Sequence, residues 1–124
     1  MKYMVIKNAL KEDLIHYLWK TKRFSYKNLR TTDDVSIDII NWGSHNHHSG
    51  PDFSNGKVKI GDTVWAGNIE MHISSSDWDR HKHSGDPAYN NVILHVVWEH
   101  DKQIMDQNGK PIPTLVISHQ VDQE

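Results

Sequence analysis

Cysteine is absent from this chain. That excludes disulfides and thiolate metal ligands, and it removes redox chemistry as a guide to compartment. Long apolar runs are missing too: none approaches the ~20 residues of a membrane span. The start, Met-Lys-Tyr-Met-Val-Ile-Lys, lacks the extended apolar core of a secretory signal. A soluble protein with a cytoplasmic location and no membrane partner is the expectation. Neither charge sign dominates. A net charge of −2 over 124 residues does not by itself point to a polyanion partner. There is no phosphate-cradling glycine-rich loop of the Rossmann or Walker type, and no G-x-S-x-G. With no repeat, low-complexity tract or linker, residues 1–124 read as one domain.

Histidine and tryptophan are abundant instead, at ten and five. Asn8 is a candidate N-cap for a helix over 9–22. Leu10, Leu14, Tyr17 and Leu18 fall on one face of it, which Ile15 and Trp19 widen. Lys20, Lys22 and Arg23 suit its C-terminal turn. Five basic residues and no acid lie between Lys20 and Arg30, with Phe24 and Tyr26 among them. Such a mixture can contact phosphates and stack on bases. A solvated helix end is the plainer reading.

Alternation predicts a half-buried strand over 35–39. A polar loop rich in histidine follows, carrying His45, Asn46, His47 and His48. A second strand runs over 53–60, weakened at Ser54-Asn55-Gly56. Gly61-Asp62 is a hairpin turn, and a third strand covers 63–73 with a bulge expected at Gly67. Ser74 to Asp77 signals a helix start, and Asp86-Pro87 a turn reaching Asn91. Residues 92–98 are apolar on both faces except for His95, which predicts a central, doubly covered strand. Gly109-Lys110-Pro111 is a turn, and 112–118 a last strand expected to pair with the fourth as a hairpin. The blocks are thus a helix (9–22), three strands (35–73), helix and loop (74–91), and two strands (92–118). The fold class expected is α/β (α+β), of αβββαβ order. Its sheet is mixed and mainly antiparallel, with an extra C-terminal strand.

The chemistry concentrates between Gly50 and His95. Asn68, Glu70 and His72 share one strand face. A Gly61-Asp62 turn with a bulge at Gly67 brings Asp52 opposite His72, on the face of Glu70. Two carboxylates on adjacent strands suit a hard divalent cation such as Mg²⁺ or Mn²⁺. The alternative is that Asp52 caps a turn and Glu70 pairs with His72 or a lysine on a solvated face. Asp77 and His81 lie at i and i+4. With His83 they form a carboxylate–imidazole set suited to Zn²⁺, Mn²⁺ or Fe²⁺, unless Asp77 merely caps its helix. His95 is either a satisfied core residue or a support for Glu70 and His72 from behind. Tyr89 either closes over the site or fills core.

The P-D…E-x-x spacing and the element order resemble the PD-(D/E)xK nuclease-like superfamily, with one departure. His72 stands where that superfamily usually has lysine, so a switchable base or ligand replaces a fixed cation. A closer resemblance covers most of the chain. It is carried by Leu14-Ile15-His16-Tyr17-Leu18-Trp19-Lys20, by Asn46 with Gly50-Pro51-Asp52-Phe53, and by Trp65-x-Gly67-Asn68-Ile69-Glu70-Met71-His72. Ser76-Asp77-Trp78-x-x-His81-x-His83 and Asp86-x-x-Tyr89-x-Asn91-Val92-Ile93-Leu94-His95 continue it. These residues resemble the N-terminal part of an uncharacterised bacterial family, the domain of unknown function DUF2851.

The functional expectation is a metal-dependent, nuclease-like phosphodiesterase. Asp52, Glu70 and His72 are the catalytic and metal-binding candidates, with Asp77, His81 and His83 as further ligands. Asn46, Lys20, Arg23 and Tyr89 are candidates for holding substrate, here nucleic acid. The rival is a non-catalytic binding or scaffold module on the same frame. A structural Zn²⁺ site is a third reading. Oligomeric state is not legible in the sequence.

Overall fold

A computed structural model describes residues 2–47, 50–80 and 86–121, with side chains from residue 12 onward. The fold is mostly β. Helix α1 (Lys2–Thr21) leads into β1 (Leu29–Arg30), β2 (Ser36–Asn41) and β3 (Ser44–His45). The long hairpin β4 (Phe53–Ile60) and β5 (Thr63–Ser74) follows. A single helical turn, α2 (Asp77–Arg80), and a 3-10 turn (Pro87–Tyr89) precede β6 (Val92–Glu99), β7 (Thr114–Val116) and a final 3-10 turn (Ile117–Gln120). No helix among the described residues is long and apolar enough to cross a membrane.

One mixed sheet holds all seven strands, in the order β1-β2-β4-β5-β6-β7, with β3 beside β4. Pairing is antiparallel up to β5 and parallel from β5 through β6 to β7. The sheet curls until its edges nearly meet. Thr32 N–H, just beyond β1, donates to the carbonyl of Thr114 in β7 (2.9 Å). The expected αβββαβ order therefore holds only roughly, because two short strands join the first half and helix is the minor component.

The last strand departs from the expected hairpin. β7 runs parallel to β6, with His95 opposite Thr114 and Val97 opposite Val116. Parallel neighbours need a long crossover, and residues 100–113 supply it, folding around the Met105–Pro111 bridge and the Gly109 turn.

The helix is longer than the predicted 9–22, and its buried face is rotated. Ile15, Leu18 and Trp19 are buried, whereas Leu14 and Tyr17 are exposed. Spacing of i, i+3, i+4 defines a stripe, and this one runs through Trp19 rather than Tyr17. It packs on Ile69, Met71, Leu94, Val96, Leu115 and Ile117, which form the main core. Trp19 fixes the helix end, its indole N–H donating to the Trp42 carbonyl (3.0 Å).

The opposite face of β5, β6 and β7 carries Glu70, His72, His95 and Thr114, all buried. A second, smaller cluster of Trp78, Ile104 and Ile112, with Tyr89 and Val92 against it, covers that face. The central, doubly covered position expected for β6 follows from these two layers.

Candidate functional site

The site is made by a bulge. From Ile60↔Thr63 to Gly56↔Gly67 the β4–β5 hairpin is regular, but the next pair is Phe53↔Ile69. One extra residue therefore lies on β4, between Phe53 and Gly56. Asn55 sits there at φ 61°, a left-handed conformation that asparagine tolerates better than most residues. The bulge was expected on β5 at Gly67, opposing Asp52 to His72. With the extra residue on β4 instead, Asp52 moves one position the other way and faces Glu70. Gly67 is small for a different reason. A Cβ there would lie 2.6 Å from the Asn91 carbonyl oxygen and from Ile93 Cγ2, where β6 begins.

Five titratable side chains follow one another through the interior. His16 Nε2, from α1, lies 3.4 Å from Asp52 Oδ1. Asp52 Oδ2 accepts from the Met71 N–H (2.8 Å), and the Asp52 N–H donates to Glu70 Oε1 (3.1 Å). Glu70 Oε2 stands 3.5 Å from His72 Nε2. His72 Nδ1 and His95 Nε2 share a hydrogen bond of 2.8 Å. Trp78 roofs the inner end, its ring centre 6.5 Å from that of His72 and 5.2 Å from that of His95. Tyr89 packs edge-on against Trp78 (5.9 Å).

Burial grades along the string. Side-chain exposure is 22% for His16 and 23% for Asp52, but 5% for Glu70 and 2% for His72. Burial pushes the Glu70 carboxyl far above the usual range, and the adjacent Asp52 raises it further. Burial also opposes ionisation of Asp52, but hydrogen bonds to His16 and Glu70 outweigh it and hold this carboxyl low. Burial and the neighbouring charge thus favour the neutral form of Glu70 and the ionised form of Asp52. His16 is raised by the Asp52 carboxylate beside it, against its own partial burial. Tyr89 is pushed up to about 12, first by burial and then by the carboxyl groups near it.

A family model described as "Protein of unknown function (DUF2851)" matches residues 12–124. The chain belongs to this family. All five titratable residues lie within the matched span. No curated protein and no solved structure matches the chain.

In this DUF2851 chain Asp52, Glu70, His72 and His95 come together as a group, with Tyr89 close by. Asn46 borders it. Its N–H donates to the Asp52 carbonyl (2.8 Å) and its side-chain amide to the Pro51 carbonyl (3.1 Å), which fixes the loop entering β4. Asp77 stands apart in a capping role. It accepts from the Ser74 N–H (3.1 Å) and pairs with Arg80 (2.7 Å). His81 and His83 lie outside the described residues, as does His48. Lys20 and Arg23 are exposed at the end of α1, with Arg23 over the Tyr17 ring.

His16 is the residue that sequence reasoning missed. The face expected from Leu10, Leu14, Tyr17 and Leu18, widened by Ile15 and Trp19, leaves His16 without a role. Centred on Ile15 and Trp19, the same helix turns His16 toward the start of β4. There His45 lies T-shaped to it (5.5 Å) and stacks on Phe53 (4.9 Å). The His45 pKa is lowered by burial and by neighbouring His47 and His16.

Among the described residues no three His, Asp or Glu side chains converge on one ion position. What the site offers a metal is the neighbouring carboxyl pair of Asp52 and Glu70. That donor set fits a hard divalent cation that keeps several waters and takes only one or two protein carboxylates, as Mg²⁺ does.

Proposed function

We propose that the domain hydrolyses phosphodiesters with a divalent cation held by Asp52 and Glu70. One observation carries this reading: the carboxylates of Asp52 and Glu70 stand side by side on neighbouring strands at the rim of the buried face, where burial and their mutual charge favour a proton on Glu70. A divalent cation can take the place of that proton and leave both carboxylates ionised. The order of elements gives further support. An initial helix, the antiparallel β2-β4-β5 and a parallel β6 resemble the PD-(D/E)xK arrangement, with Pro51-Asp52 and Glu70-x-His72 at the matching strand positions.

Bound there, the metal would supply Lewis-acid charge neutralisation and an activated water. The chain's own residues do the rest. The Met71 N–H and His16 hold Asp52 in place. His16, on the more open side, is the group placed to move a proton at the attacking water or the leaving oxygen. His72 is fully buried and hydrogen-bonded to His95, so it orients Glu70 rather than meeting water.

The position of His72 also favours a second reading. Where a catalytic lysine is usual, this chain has an imidazole locked inside the fold, which suits a binding module on the same frame. Calorimetric titration with Mn²⁺ and Mg²⁺, beside hydrolysis of DNA and RNA, separates the two. The first reading expects metal binding and hydrolysis to vanish together in Asp52→Ala and Glu70→Ala. A wild-type protein that binds no divalent cation would leave only the binding module.

A further inference from the structure

The face that carries Glu70 continues beyond the roof of Trp78. Residues 66, 68, 70 and 72 of β5 alternate onto it. At the His72 end it is covered by Trp78 and Tyr89; at the Ala66 end it is open. Here lies a depression of about 350 Å³, lined by Ile40, Asn41, Asn55, Lys57, Ala66 and Asn91 over a floor of Gly56 and Gly67. This volume is at the lower end of small-ligand sites, which run from about 300 Å³ upward.

We infer that this depression is a nucleotide subsite for a single-stranded nucleic acid whose scissile phosphate lies at Asp52 and Glu70. The inference rests on the proposed phosphodiesterase reading and names the form of its substrate. Position comes first. Ala66 and Glu70 are four residues apart on one strand face, about 13 Å at the usual rise. That is the reach of one or two nucleotides along a backbone. The depression and Glu70 thus lie on one face of β5, with Asp52 opposite Glu70 across the hairpin.

The lining chemistry is the second argument. Three amides converge from three strand ends: Asn41 closing β2, Asn55 at the β4 bulge and Asn91 before β6. The Asn41 carbonyl is occupied by the Gly43 N–H (2.9 Å). The side-chain amides of Asn55 and Asn91 make no hydrogen bond among the described residues, so each offers both donor and acceptor. Such amides pair bidentately with the edge of a nucleobase. Lys57 adds a cation. Its cross-strand partners are Asn41 and Ala66, neither charged. Lys59, one step along the same face, is instead opposite Asp38. Lys57 is the lysine of this face that lines the depression, and so the one placed to meet a phosphate there.

Single strands follow from the geometry. An amide reaching a base edge at the floor of a small depression needs that base unpaired and turned out. A duplex keeps those edges paired and presents a wider, uniform backbone.

The test is fluorescence anisotropy with labelled hexanucleotides of single base composition, DNA and RNA, in Ca²⁺, across a salt series. Wild type, Lys57→Gln and Asn91→Ala are compared after their melting temperatures are checked. Lys57→Gln should weaken binding about three- to tenfold for every sequence and lower the salt slope by about one. Asn91→Ala should change the ranking among bases and leave the salt slope alone. A blunt duplex should bind at least about tenfold more weakly than the single strand. Variants that bind like wild type, or a duplex that binds as well, would overturn the inference. Hydrolysis in Mn²⁺ is scored on the same proteins. Oligonucleotide binding without hydrolysis would refute the catalytic reading and keep the groove; hydrolysis with unchanged variant affinity would refute the groove and keep the catalyst.

Discussion

Replacing Glu70 by glutamine should make the protein more stable at neutral pH. In the fold, burial and the Asp52 carboxylate beside it favour the protonated form of Glu70. In the unfolded chain it ionises near 4.5. A group whose folded pKa is raised contributes stability that is full below its unfolded pKa and is lost as pH rises toward the folded value. At pH 7 the loss spans the interval from 4.5 to 7 at about 1.4 kcal/mol per unit, or about 3 kcal/mol. Glutamine is neutral in both states and escapes it. Its oxygen can keep the hydrogen bond from the Asp52 N–H, and its amide can face Asp52 or His72 Nε2. For a chain of this size the gain corresponds to roughly 8–12 °C in melting temperature. The assay is thermal and urea unfolding from pH 5 to 9 in chelator, wild type beside Glu70→Gln. The difference should be below about 1 kcal/mol at pH 5 and grow with pH. A variant less stable than wild type at pH 7, or a difference independent of pH, would show that Glu70 is ionised in the fold and refute the shared proton. A stabilising loss of a buried carboxyl is the pattern expected where function, not folding, retains the residue.

Two further outcomes follow from the same geometry. Because His16 is raised by Asp52, its contribution is complete below pH 6.5 and fades as pH rises through the folded value. His16→Gln should thus lose about 1 kcal/mol at pH 6 and less at pH 9, as read by urea unfolding. Gly67→Ala places a methyl group 2.6 Å from backbone at Asn91, and should cost about 1–3 kcal/mol in the same assay; an unchanged midpoint would mean that β6 starts further from β5 than described.

Much of the fold was legible locally. Gly61 and the flanking alternation placed β4 and β5 to within a residue or so, since a tight turn and a period of two are properties of neighbouring residues. The apolar run 92–98 announced β6 for the same reason. The β4 bulge left a trace as well, in the weak strand character of Ser54-Asn55-Gly56. Asparagine there was a better sign of a left-handed residue than glycine at 67, whose smallness answers to a strand crossing above it. The rotated helix face was harder to see. Leu14 and Tyr17 are as apolar as Ile15 and Trp19, and only the position of the sheet decides which stripe is covered.

The sequence by itself determined the ingredients: a helix, a central hairpin, a buried strand, and Asp52, Glu70, His72 and His95 near its strand ends. The tertiary structure decided their chemistry. A one-residue bulge chose Glu70 rather than His72 as the partner of Asp52. The turn of α1 brought in His16 from some 36 positions away in the chain. The crossover over 100–113 laid β7 parallel and set Ile104 and Ile112 with Trp78 over the polar face. A carboxyl's proton affinity depends on the water and charge around it. Those surroundings come from strands and a helix distant in sequence, and so exist only once the chain has folded.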